Sequence, residues 1–124
     1  MRETMEQHAE VFNETLALSS VGGDRDFLAE VVGLVQAAWP TLLADIREGL
    51  ERGNLSAVGM TARLAKAAAR NVSAKRAYES AVKLEAMAAI GNLEAARGAS
   101  KSLEREVERL QAVLPTPEHS EYSA

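Results

Sequence analysis

The chain has 124 residues, 47% hydrophobic and 26% charged, with a net charge of -4, no cysteine and two histidines. That length suits one domain with a single core. The missing cysteines exclude a disulfide scaffold, a thiol nucleophile and a cysteine-held metal, and two histidines argue against a multi-histidine metal site. The acidic balance argues against general affinity for nucleic acid, which wants a basic surface. We expect no metal and no cofactor.

Alanine dominates, with glutamate, leucine, arginine and lysine making up much of the rest. These are helix formers, and no stretch alternates cleanly between apolar and polar, so an all-α chain is predicted. The N-terminal ten residues are polar and resemble neither a secretory signal nor a transit peptide. No apolar run is read as long enough to span a bilayer, which needs roughly 18 to 20 residues. A soluble cytoplasmic protein that does not contact a membrane is the expectation.

The first segment, Glu3 to Leu18, is loosely periodic and is taken as one added N-terminal helix. Ser19-Ser20-Val21-Gly22-Gly23 breaks it. Asp24 then caps a long helix carrying Phe27, Val31, Leu34, Val35, Ala38, Leu42, Ile46 and Leu50 at helical spacing. Pro40 lies inside that run and must kink the helix or start a new one. Gly53-Asn54 closes it and caps the next, and the same pair recurs at Gly91-Asn92. Between these turns two helices are predicted, Leu55 to Val72 and Ala74 to Ile90, with Ser73 as the cap between them. The last helix runs from Leu93 to about Leu114. Pro115-Thr116-Pro117 ends it, and residues 115–124 are expected to form a disordered tail after a single domain over 1–114.

Leu93, Ala96, Ser100, Leu103, Val107, Leu110 and Leu114 are spaced 3, 4, 3, 4, 3, 4. That seam suits a coiled-coil dimer or one wall of an antiparallel bundle, and the short turns favour the bundle. Around the helix from Leu55, residues Val58, Thr61, Leu64, Ala65, Ala68 and Val72 are placed on the core side. The opposite side carries Gly59, Met60, Arg63, Lys66, Ala67 and Arg70. The plain reading is that these cations only solubilise the helix. The sharper one is a docking face: small residues admit a partner's backbone, Met60 gives adaptable contact, and the cations suit an acidic partner. Lys75 and Arg76 are read as extending the patch.

The residues also resemble a known family, the histidine-containing phosphotransfer (HPt) domains of bacterial two-component phosphorelays, over about Leu16 to Leu114. Gly23-Asp24 before a long helix, Trp39-Pro40-Thr41-Leu42-Leu43 within it, the Gly53-Asn54 turn, and Leu84-Glu85 followed by Gly91-Asn92-Leu93-Glu94 carry the likeness. The family's central helix bears its phosphoacceptor in the pattern His-x-Leu-Lys-Gly-Ser. Aligned on Lys66 and on Asn71-Val72-Ser73-Ala74, this chain reads Arg63-Leu64-Ala65-Lys66-Ala67-Ala68. The lysine is kept and the histidine position is Arg63.

Arginine stays protonated and offers no nucleophilic nitrogen, so it cannot shuttle phosphate. The resemblance therefore implies an antiparallel four-helix bundle with an additional N-terminal helix, and a module that is not an enzyme. The expected role is non-catalytic docking onto a response-regulator receiver domain or a histidine kinase, through Gly59, Met60, Arg63, Lys66, Ala67 and Arg70. A monomer is expected, with a homodimer as the other possibility. The alternative is a structural or oligomerisation bundle that has lost receiver binding, motivated by the last-helix seam and by Phe27 and Trp39 should they be exposed. A working phosphotransfer protein using His8 or His119 ranks third.

Overall fold

The computed structural model describes residues 5–115. Within them the chain forms six helices and no strand: α1 (Met5–Val11), α2 (Glu14–Ser20), α3 (Arg25–Glu51), α4 (Leu55–Asn71), α5 (Lys75–Ala89) and α6 (Leu93–Val113). Of the expected tail over 115–124, Pro115 is described, and residues 116–124, with His119, lie outside the described residues. The single N-terminal helix is corrected to two. The chain breaks at Phe12-Asn13, where the Asn13 side chain accepts from the Leu16 N–H at 3.0 Å and caps α2.

The four long helices pack in a closed ring: α3 on α4, α4 on α5, α5 on α6, and α6 back on α3. Cross-links show α3 and α6 running antiparallel. Arg47 pairs with Glu104, and Arg97 reaches the Leu50 carbonyl near one end. At the other end the Gln36 side chain donates to the Pro115 carbonyl. The α6 seam lies almost wholly inside this ring, with Ala96, Ser100, Leu103, Val107, Leu110 and Leu114 buried and Leu93 packed against the core.

The corners reuse one device. After α3, the N–H of Gly53 donates to Leu50 and that of Asn54 to Gly49. After α5, Gly91 donates to Ala88 and Asn92 to Met87. Each glycine has positive φ, as this left-handed helix stop requires. The same bonds close α4, from Ser73 to Arg70 and from Ala74 to Ala69. Here Ser73 holds the left-handed position at φ 56°. The predicted capping role of Ser73 is thus corrected: Ser73 stops α4, and Ala74, buried against the core, stands at the head of α5 with no side-chain cap.

Pro40 lies within a continuous α3, so no new helix starts there. Proline has no N–H, which leaves the Gln36 carbonyl one turn back without its helical donor. Gln111 of α6 supplies one, its Nε2 donating to that carbonyl at 3.4 Å. Beside it, buried Trp39 fills the interior, and the Trp39 Nε1 and Gln111 Oε1 atoms have no partner among the described residues.

One expectation about α3 is corrected. This helix is long and apolar enough to cross a membrane by length and composition alone. Its inward side chains, among them Leu28, Val32, Val35 and Ile46, form part of the core, while Phe27 and Leu34 stay exposed.

Candidate functional site

The site is built on α4. Asn54 starts this helix, its side chain accepting from the Ala57 N–H at 3.1 Å. The stripe turned to the core is Val58, Ala62, Ala65 and Ala69, continued by Val72. The expected stripe is therefore rotated. Thr61 and Ala68 are half-buried at its margin, and Leu64, placed in the core by its spacing, is 60% exposed. The reason is packing. Across from α4, helix α5 buries Ala77, Ala81 and Ala88, and small side chains on both helices let the backbones approach where a leucine would hold them apart. Ala62 and Ala69 are the buried positions that the sequence pattern missed, because alanine gives a weak hydrophobic signal on either side of a helix.

The outward face carries Met60 (66% exposed), Arg63, Ala67 and Arg70, joined by the displaced Leu64. Four of the six expected docking residues are thus exposed together. Gly59 and Lys66 are not. Both lie half-buried on the margin toward α5, where a side chain on Gly59 would meet the Ala88 methyl at 3.7 Å. Arg76 also departs from the patch. It forms a forked pair with Glu106 of α6 at 3.1 and 3.2 Å, and Arg109 adds a third bond to that carboxylate.

Glu85 of α5 organises the electrostatics. Its Oε1 accepts from Lys66 Nζ at 2.8 Å and its Oε2 from Arg63 Nε at 3.1 Å. Lys66 first, then Arg63, hold the Glu85 carboxyl below the usual glutamate range. Two helical turns along, Arg70 lies 5.4 Å from the Tyr78 ring centre and donates to its hydroxyl at 3.3 Å. These links follow from antiparallel register, because residues nearly equidistant from the Ser73-Ala74 corner face each other. Counting outward from that corner brings Arg63 to Glu85 and Arg70 to Tyr78, a signal that could have found Glu85 in the sequence.

Arg63 is the open group at the middle of the face. Its side chain is 71% exposed, and its Nη atoms have no partner among the described residues. A guanidinium presents N–H donors in a planar fork that matches a carboxylate or phosphoryl group. A cleft of about 720 Å³ adjoins this face, with Arg70, Lys75 and Tyr78 on one side and Asn13 and Leu16 on the other. His8 stands exposed on α1, which packs against α5 and α6. Among the described residues, no group of three or more His, Asp or Glu side chains is placed to hold a metal.

Comparison with known proteins gives no match: no family model, no curated protein and no solved structure matches the chain.

Proposed function

We propose that the chain is a non-catalytic, HPt-like docking module that binds the acidic face of a response-regulator receiver domain, or a histidine kinase, without carrying phosphate. The observation that supports this most is the outward, largely exposed Arg63 on α4, set among Met60, Leu64 and Ala67. A receiver's active site is a pocket of carboxylates, and a guanidinium at its mouth makes forked hydrogen bonds while the apolar side chains around it shed water. Because arginine cannot accept a phosphoryl group, such docking blocks a true phosphotransfer partner or alters the receiver's phosphorylation lifetime.

The experiment is a competition. Receiver domains from the same organism are mixed with their own phosphotransfer proteins, and this chain is added. Slower phosphotransfer to one receiver, relieved by Arg63→Glu, is expected. Unchanged transfer for every receiver would remove the receiver as partner, and unchanged autophosphorylation of the histidine kinases would remove the proposal.

The alternative, an oligomerisation bundle, draws support from the exposed Phe27 and Leu34 on α3. The α6 seam lends it none, since those residues are used within one chain.

A further inference from the structure

Resting on the docking reading of α4, we infer that Glu85 is a resident competitor, the carboxylate that an acidic partner displaces from Arg63. Glu85 grips two cations whose exposure differs widely. The Lys66 side chain is 25% exposed and the Glu85 side chain 22%, whereas that of Arg63 is 71% exposed. The shorter bond goes to the shielded lysine, at 2.8 Å, and the longer to the open arginine, at 3.1 Å. An exposed ion pair adds little to stability, because water and salt screen it. The Arg63 half of the bridge is therefore easily surrendered.

The geometry makes the exchange close to neutral. When Arg63 turns to a partner, Glu85 keeps its bond to Lys66 and is not left as an unpaired carboxylate. Arg63 takes up partner oxygens through Nη donors that have no partner among the described residues, and exchanges one Nε bond for another. The partner chemistry this suits is clustered carboxylates: Glu85 supplies one bond, to Nε, whereas several carboxylates together can occupy Nε and both Nη groups. Lys66, half-buried and held by Glu85, stays behind as the counter-ion. Its part in recognition is thus indirect: it frees Arg63 by keeping Glu85 neutralised.

The test uses a blocked tetra-aspartate peptide, with binding followed by calorimetry and by the Arg63 Nε–H resonance. Glu85→Gln is expected to tighten peptide binding about 1.5- to fivefold, the range an exposed ion pair spans. Glu79→Gln, which makes the same charge change at an exposed position on α5, controls for general electrostatics and should give a smaller effect. Adding Arg63→Gln to Glu85→Gln should erase the gain. Peptide binding that is absent from all variants, or equal for Glu85→Gln and Glu79→Gln, would overturn the inference. The two proposals fail separately. A receiver competition that fails while the peptide result holds removes the receiver and leaves the exchange; the reverse removes the exchange alone.

Discussion

At the scale of single residues, Glu85 and Ser73 give separable expectations. The fold lowers the Glu85 pKa, chiefly through Lys66 and then Arg63. A carboxyl whose pKa is depressed by folding adds stability above its unfolded value, about 4.3 for a free glutamate. That contribution fades as pH falls through the lower folded value. Thermal unfolding of the wild type and Glu85→Gln should therefore differ at neutral pH and converge on strong acidification. Ser73 is the non-glycine residue at positive φ among the described residues, in a corner motif whose equivalents after α3 and α5 carry glycine. Left-handed backbone costs a side-chain-bearing residue roughly 1 kcal/mol. Ser73→Gly should accordingly raise stability by up to about 1 kcal/mol in a denaturant titration. The Ser73 contact to the Asn13 N–H is unaffected, because it uses the backbone carbonyl.

At the scale of elements, the meeting of α3 and α4 depends on Gly49. An added Cβ there would lie 2.8 Å from Val58 Cγ2. Gly49→Ala should destabilise the protein by about 1 to 3 kcal/mol through overpacking, less whatever the helix gains from alanine's propensity. Pairing it with Val58→Ala, which removes the clashing methyl, should cost less than the sum of the two single changes, and a denaturation double-mutant cycle measures this. Much at this scale was readable in advance. Asp24, Asn54 and Asn92 cap the helices they were expected to cap, and glycine stops mark the ends of α3 and α5. What escaped was governed by tertiary contact. The break at Asn13 lies in a segment of weak periodicity. The rotation of α4 was hidden because an alanine stripe reads as neutral on either face, so that Leu64 drew the expected core toward itself. Pro40 stays within α3 because a distant glutamine, Gln111, serves the carbonyl that proline orphans.

At the scale of the molecule, the helical class, the four long helices and most of the exposed α4 face were legible from composition, punctuation and period. The partnering of cations was not. Arg76 is turned away to Glu106 and Lys66 inward to Glu85, which leaves Arg63 exposed at the middle of the face, with exposed Arg70 and Lys75 toward the α4–α5 corner. The α6 seam could have served a second copy of the chain, but it is spent inside the ring. Sedimentation over a range of concentrations should therefore return a species of 13.3 kDa. A concentration-dependent dimer that Phe27→Glu or Leu34→Glu disperses would move the weight to the oligomerisation alternative. The claim on which the account turns is that α4 presents a carboxylate-binding face. Calorimetric titration of the chain and its Arg63→Glu variant against the receiver domains of the same organism tests it most directly. At least one receiver should bind the wild type, and charge reversal should weaken this about tenfold or more. Receivers that bind neither protein, or both equally, would contradict it.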